Sequence, residues 1–156
     1  MSKNVFSDDL MFERGICSLL GERLISEHFI IIDFDCKSTI KCKKFSNQRR
    51  ELIGFASNDV SFYKAQRAGV RIVLDKKARV KDVLNFFLFG RIVALYKLKS
   101  TLTLREKETL LLLTDGKSVE DVAKILNVKE NTVYSFRRNI ITKLDIKNRI
   151  SLLNYI

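Results

Sequence analysis

The sequence is poor in the residue types that metal sites, catalytic triads and disulfide frameworks require. His28 is the only histidine, which leaves a histidine-based metal site or triad little to build on. Cys17, Cys36 and Cys42 are odd in number and form no C-x-x-C pair, which favours reduced thiols in a cytosol; a thiol sensor is the alternative. No nucleophile and base stand in a recognisable arrangement, so we predict no enzyme activity, no metal and no cofactor.

Long apolar runs are also missing. No run reaches the roughly 18 residues that a membrane span needs, and the N-terminus M-S-K-N-V-F-S-D-D has no signal-peptide pattern. We therefore expect a cytoplasmic, nucleoid-associated protein without a membrane partner. Hydrophobic residues still make up 46% of the chain, which is enough to bury a core and argues against wholesale disorder.

Acidic residues are outnumbered throughout the chain. Residues 1–100 hold 19 Lys and Arg against 11 Asp and Glu, a net +8, and residues 101–156 hold 10 against 7, a net +3. Both parts therefore fit a polyanionic partner, because Lys and Arg neutralise phosphates. Six cations between two apolar segments predict either a second DNA contact or a solvated loop. They are Lys37, Lys41, Lys43, Lys44, Arg49 and Arg50.

Residues 129–144 form a predicted helix whose two faces differ in chemistry. At about 100° per residue, one face is apolar and suits a core. The other carries hydrogen-bonding side chains and a guanidinium group but no acid, with Arg137 and Lys143 on its flanks. Such a helix fits the major groove of B-DNA, although an amphipathic surface helix shows the same pattern. The apolar face holds Val133, Phe136, Ile140 and Leu144, and the polar face Asn131, Tyr134, Ser135, Arg138 and Thr142.

Capping signals upstream place this helix in a helix-turn-helix arrangement. Thr103 and Glu106 have the spacing of a capping box and open a helix that ends at Gly116. Ser118 opens a second, short helix, and residues 127–128 make the turn into the basic helix. Two helices joined by a tight turn, the second longer and basic, are typical of DNA-binding domains.

From residue 102 onward the chain resembles the LuxR (GerE) type of DNA-binding domain. The resemblance lies in L-T-L-R-E-K-E-T-L-L-L-L (102–113), G-K-S-V-E-D-V-A-K-I-L-N-V (116–128), T-V-Y-S-F-R-R-N-I (132–140) and K-L-D-I-K-N-R (143–149). It implies an all-α four-helix domain whose third helix enters the major groove. It also implies base-edge contacts by Tyr134, Ser135 and Arg138, with Thr132, Arg137 and Lys143 near phosphates. The full predicted DNA-binding set is Lys129, Asn131, Thr132, Tyr134, Ser135, Arg137, Arg138 and Lys143.

Two positions depart from the family pattern. Lys129 stands where the family usually has a capping Ser or Thr, which should weaken the helix cap by about 1 kcal/mol while adding a cation near phosphate. Phe136 stands where a His is frequent, and we expect it to pack in the core. The last predicted helix, residues 148–155, offers more apolar surface than so short a helix can bury, which predicts a dimer interface. The residues predicted to form this interface are Leu152, Leu153, Tyr155 and Ile156.

Strands and helices alternate in the N-terminal part, which predicts an α/β domain with a parallel sheet. The apolar run F-I-I-I-D, residues 29–33, has the β-branched content of a buried parallel strand. Further strands are predicted at residues 53–56 and 70–74, and helices at residues 10–20, 62–68 and from 80 onward. Because neither Pro nor Gly follows Gly90 before the linker, we expect this last helix to continue toward it.

In its order of elements this part resembles a response-regulator receiver domain. Asp8 and Asp9 resemble the acidic pair after the first strand, Asp33 stands at the phospho-acceptor position, and Lys76 follows the last strand. In such a site carboxylates hold Mg²⁺ and the lysine pairs with an aspartyl phosphate. Only 24 residues separate Asp9 from Asp33, too few for the usual elements, so we predict that one strand is lost and the site is vestigial. Intact phosphotransfer is the alternative, and the shortened architecture resembles auxiliary regulators of the RcsA and GadE type.

The sequence thus predicts a shortened receiver-like α/β domain at residues 1–96, a linker at 97–101 and an all-α LuxR-type helix-turn-helix domain at 102–156. The predicted function is sequence-specific regulation of bacterial transcription, independent of phosphorylation. The expected partners are double-stranded DNA and a second subunit, as a homodimer or a heterodimer with another LuxR-type regulator; RNA polymerase is a further candidate. The alternative is an interaction protein that modulates a partner LuxR-type regulator and binds little DNA itself.

Overall fold

The computed structural model describes residues 4–36 and 49–146. The chain folds into two compact units, Met1–Lys97 and Leu98–Ile156. The first unit is α/β and the described part of the second is helical, which confirms the predicted fold class. The elements of the first unit are β1 (Val5–Phe6), α1 (Leu10–Leu20), α2 (Glu22–His28), β2 (Phe29–Asp33), β3 (Glu51–Ala56), α3 (Asp59–Arg67), β4 (Ile72–Asp75), α4 (Val80–Phe89) and a 3-10 helix (Ile92–Ala94). Those of the second are α5 (Leu104–Thr114), α6 (Val119–Leu126) and α7 (Glu130–Lys143).

The sheet of the first unit has four parallel strands in the order β1-β2-β3-β4. In a doubly wound fold with the order 2-1-3-4-5, the second strand would lie on the outer side of the first. Here residues 7–28 contain no strand, and β1 pairs directly with β2 through Val5 opposite Ile31. The predicted loss of one strand therefore agrees with the sheet order. Helix α2 was not predicted; it follows Gly21, whose φ of 79° ends α1 and redirects the chain.

Each face of the sheet has its own core. Ile31, Ile53 and Leu74 are fully buried on the face that α1, α2 and α4 cover. Ile30 and Ile32 belong to the core on the other face. Because successive residues of a strand point to opposite faces, a strand buried on both sides must be apolar at every position. This accounts for the continuous run in β2.

The segment after α4 corrects one expectation. The helix was predicted to continue toward the linker, but it ends at Phe89, and Gly90 adopts a left-handed conformation with φ of 66°. The chain then turns back, and Leu95 forms an antiparallel bridge with Leu74. β4 is an edge strand, so the backbone groups on its outer side can pair with another segment. The returning chain uses one of them, because the Tyr96 amide donates to the Val73 carbonyl at 2.8 Å.

The second unit is built around a small apolar centre. Leu110 of α5, Val122 of α6 and Val133 and Ile140 of α7 are all fully buried. Short connections join the helices, and Asn127, in the turn between α6 and α7, has a φ of 52°. Among the described residues, none of the helices has the length and apolar character that crossing a bilayer requires.

Candidate nucleic-acid interface

Two capping boxes fix where the two helices before α7 begin. Thr103 and Glu106 form the predicted capping box: the Thr103 amide donates to Glu106 Oε2 at 2.8 Å, and the Glu106 amide donates to Thr103 Oγ1 at 3.3 Å. Ser118 caps α6 in the same manner with Asp121. Lys129 makes no side-chain bond to the first turn of α7, as the departure from the family pattern predicted.

Helix α7 has one buried and one exposed face. Val133 and Ile140 are fully buried, while Phe136 and Leu144 are half-buried beside them. The five residues of the predicted polar face are all exposed: Asn131, Tyr134, Ser135, Arg138 and Thr142. The burial pattern thus agrees with the two predicted faces, and the contact of the exposed face with DNA is a prediction.

Several exposed side chains of α7 are ordered by contacts within the helix. The Arg137 guanidinium lies over the Tyr134 ring, 5.0 Å from its centroid. The Ser135 hydroxyl donates to the Asn131 carbonyl at 3.0 Å. Thr142 donates in the same way to the Arg138 carbonyl at 3.1 Å. These contacts lower the number of conformations that the side chains would lose on meeting a ligand.

Lys143, predicted near phosphate, has a partner inside its own unit. Its Nζ donates to both carboxylate oxygens of Glu106, at 3.0 and 2.7 Å. The Glu106 side chain is only 4% exposed. Burial acts to raise the pKa of Glu106, but hydrogen bonds from Lys143 and Thr103 outweigh it and hold the pKa below its ordinary value.

This pair went unnoticed in the sequence because its members are 37 positions apart. One signal was present. Lys143 follows Phe136 by seven residues and so lies about 20° from it around the helix, on the side of the core. The pair ties the end of α7 to the start of α5, and a phosphate contact by Lys143 is still a prediction.

In the first unit the structure brings three of the four predicted phospho-acceptor residues together. Asp33 is 1% exposed at the end of β2. Its Oδ2 accepts from Lys76 Nζ at 2.8 Å and from the Ser7 hydroxyl at 2.7 Å, and Oδ1 accepts from the Asp35 amide at 3.1 Å. Lys76 Nζ also donates to Asp9 Oδ2 at 3.3 Å. The lysine thus lies between two carboxylates.

Asp9 and Asp8 make further contacts in this region. Asp9 caps α1 by accepting from the Met11 and Phe12 amides, and these bonds, led by the one from Phe12, keep the pKa of Asp9 below its ordinary value. Asp8 lies at the surface, and its amide contacts Cys36 Sγ at 2.9 Å. Burial raises the pKa of the Cys36 thiol, which makes it less reactive.

The carboxylates of this region have a lysine as their counter-charge. Across the described ranges, no group of three or more acidic, histidine or cysteine side chains is placed to hold a metal ion. The positive charge beside Asp33 and Asp9 comes from Lys76 instead.

Some predicted site residues fall outside residues 4–36 and 49–146. They are the dimerisation set Leu152, Leu153, Tyr155 and Ile156 and the cations Lys37, Lys41, Lys43 and Lys44. Of the cationic cluster, the structure places Arg49 and Arg50, both exposed.

A short helix, a tight turn and a longer helix with an exposed polar face define a helix-turn-helix domain, here in a chain whose other unit is a receiver-like parallel sheet. Residues 100–156 match the family model of bacterial regulatory proteins of the luxR family. The C-terminal unit is therefore a domain of the luxR family, as the sequence motifs predicted.

Two curated relatives share sequence with the chain. The transcriptional regulatory protein DesR of Bacillus subtilis is 36% identical over 102 residues, which cover 59% of this chain and 51% of DesR. The uncharacterized response regulatory protein YgeK of Escherichia coli is 38% identical over 63 residues, covering 40% of this chain and 43% of YgeK. The chain spans about half the length of the curated relatives it matches.

Solved structures of RcsB share the fold. A structure of two RcsB dimers bound to two parallel DNAs superposes with a TM-score of 0.52 at 19% identity, covering 97% of this chain and 94% of that one. A complex of the two-component response regulator RcsB with DNA gives 0.51 at 18% identity, with 97% and 95% coverage. At this identity the similarity establishes the fold.

Proposed function

We propose that the chain is a bacterial transcription regulator that binds duplex DNA by placing the exposed face of α7 in the major groove. The observation that carries this proposal is the division of α7: Val133 and Ile140 are fully buried, while Asn131, Ser135 and Arg138 are exposed without an acid among them. The luxR-family domain and the sequence similarity to DesR, a transcriptional regulatory protein, support the same function.

The basic charge supports binding to a polyanion. The chain carries a formal net charge of +11. Each phosphate that a Lys or Arg neutralises releases counterions, which makes affinity fall as salt rises. Two subunits reading two half-sites would suit the RcsB structures, whose DNA-bound form contains dimers. A homodimer and a heterodimer with another LuxR-type regulator both fit this proposal.

Binding can be tested with the full chain and a randomised duplex library in a mobility-shift selection. We expect enrichment of a defined sequence and a negative slope of log affinity against log salt. Arg138→Glu should abolish binding because it puts a carboxylate against base edges. Arg23→Glu is the matched control: it makes the same change in charge at an exposed position of α2, where Arg23 pairs with Glu27 at 3.0 Å.

Equal behaviour of the two variants would remove α7 from the interface. No duplex binding at any salt concentration, together with binding to a purified LuxR-type regulator, would favour the alternative function, an interaction protein that modulates such a partner.

We also propose that regulation does not require phosphorylation of Asp33. The carboxylate is buried, and both its oxygens accept hydrogen bonds, from Ser7, Asp35 and Lys76. These donors, above all the Lys76 ammonium, draw electron density from the carboxylate and lower its nucleophilicity. Among the described residues, no group of three or more acidic, histidine or cysteine side chains is placed to hold a metal ion.

Asp33→Asn tests this point because it keeps the size of the side chain and one acceptor oxygen. We expect most regulatory output to persist in cells at unchanged protein abundance. Loss of output with a folded, abundant variant, together with labelling of the wild type by a small phosphodonor, would establish a true response regulator instead.

A further inference from the structure

We propose that Ser135 and Thr142 offer only hydrogen-bond acceptors to the major groove, so that α7 selects bases bearing an amino group, adenine or cytosine, on both sides of a guanine read by Arg138 and on the same strand as that guanine. This inference rests on the proposed binding of DNA by α7. It assigns a base preference to the half-site and adds Thr142 to the residues that read it.

The hydroxyl hydrogens of both residues already form hydrogen bonds to backbone carbonyl oxygens of α7. Ser135 Oγ lies 3.0 Å from the Asn131 carbonyl oxygen, and Thr142 Oγ1 lies 3.1 Å from that of Arg138. A carbonyl oxygen can only accept, so in each pair the hydroxyl must be the donor. The lone pairs of both hydroxyl oxygens stay available, and both residues are exposed.

The two acceptors lie on one line along the helix. Seven residues separate them, which is about 20° around the axis and about 10.5 Å along it. Arg138 lies between them, about 4.5 Å beyond Ser135 along the axis. The exposed face therefore presents an acceptor, a guanidinium donor and a second acceptor in order, over a length of about three base-pair steps.

Only two bases present a hydrogen-bond donor to an acceptor in the major groove. Adenine presents its N6 amino group and cytosine its N4 amino group, whereas guanine presents acceptors and thymine an acceptor and a methyl group. Phosphate oxygens are acceptors too, so neither hydroxyl can bind them without losing its bond to the backbone. Arg138, with donors only, matches the O6 and N7 acceptors of guanine.

The first test compares the duplexes selected by the full-length wild type and by Ser135→Ala, Ser135→Thr and Thr142→Val. We expect the wild type to prefer adenine or cytosine at one position that loses its preference in Ser135→Ala and keeps it in Ser135→Thr. Thr142→Val should erase a second such preference, on the other side of the guanine. A wild-type preference for guanine or thymine at either position, on the strand that carries the guanine read by Arg138, would overturn the inference while leaving the proposed function intact.

The second test removes the amino group from the DNA. Replacing the selected adenine by purine, or the selected cytosine by its analogue without the 4-amino group, should weaken wild-type binding about 3- to 10-fold, the value of one hydrogen bond. Ser135→Ala should bind the two duplexes equally. Equal loss in wild type and variant would overturn the inference. If no sequence is selected at all, the proposed function fails, and the inference fails with it.

Discussion

Replacing Lys143 by Met removes the charge that faces the buried Glu106 carboxylate while keeping a side chain of similar length. Glu106 would keep the Thr103 amide as a donor, at 2.8 Å. Breaking a buried ion pair costs about 3 to 5 kcal/mol, and an exposed pair contributes at most about 1 kcal/mol. The Glu106 side chain is 4% exposed, but that of Lys143 is 38% exposed, so water can replace part of the lost interaction. We therefore expect a loss of about 2 kcal/mol in the free energy of unfolding of the helical unit.

Urea unfolding of the full chain, followed by amide exchange of α5 and α7, measures this loss. Lys124→Met is the matched control, because Lys124 pairs with Glu120 at 2.6 Å while both side chains are more than 60% exposed. We expect the control to leave the free energy of unfolding nearly unchanged, because water screens an exposed pair. If Lys143→Met costs no more than Lys124→Met, the buried pair does not stabilise the unit and the reasoning is refuted.

The pH dependence gives the same prediction a second readout. The pKa of Glu106 lies below its ordinary value of 4.5, so the pair contributes stability above that pH and loses it as the pH falls through the folded-state pKa. The difference between wild type and Lys143→Met should therefore be largest near neutral pH and shrink as the pH falls below 4.5 and through the folded-state pKa. A difference that grows on acidification would show that Glu106 does not carry the effect.

Three further predictions concern single side chains. Thr109 is fully buried, and its hydroxyl has no hydrogen-bond partner in the part of the chain that the structure describes, so Thr109→Val should raise the free energy of unfolding by about 1 kcal/mol in urea titrations. Arg138→Ala should reduce discrimination between specific and scrambled duplexes by about 1 to 3 kcal/mol, and an equal loss on both duplexes would contradict a base-edge role. Leu152→Asp and Tyr155→Asp should weaken dimerisation in ultracentrifugation without unfolding the chain; an unchanged oligomeric state would place the interface elsewhere.

Sequence patterns were sufficient where a local signal determines the structure. The capping box at Thr103, the stop at Gly116 and the two faces of α7 depend on residues a few positions apart, and each formed as predicted. Residues 29–33 form a buried parallel strand for the same reason, because a continuous apolar run indicates burial on both faces of the sheet. The loss of a strand could be predicted because chain length alone limits how many elements fit between Asp9 and Asp33.

Sequence reasoning failed where a residue contacts a partner far away in the sequence, or where the backbone conformation interrupts a periodic pattern. No pattern near Gly90 indicates that Leu95 will pair with Leu74, because that bridge depends on the edge of a strand formed elsewhere. Helix α2 escaped prediction because Gly21 splits one apolar pattern into two helices. Tyr96 is a further case: its hydroxyl donates to the buried Asp59 carboxylate at 2.7 Å, across 37 positions of sequence.

The two lysines with predicted roles toward phosphate show the same limit. Lys76 was assigned to an aspartyl phosphate and Lys143 to the DNA backbone, yet each is bonded to a buried carboxylate of its own unit, Asp33 and Glu106. Leaving a buried carboxylate without a counter-charge is costly, so each lysine is held by the fold before any ligand arrives. A lysine in this position can still attract phosphate at long range, but it must weaken a bond inside the protein to make a direct contact. Arg138 is exposed on the polar face of α7, and within residues 4–36 and 49–146 no ion pair holds it. Discrimination between DNA sequences should therefore depend on Arg138 more than on Lys143.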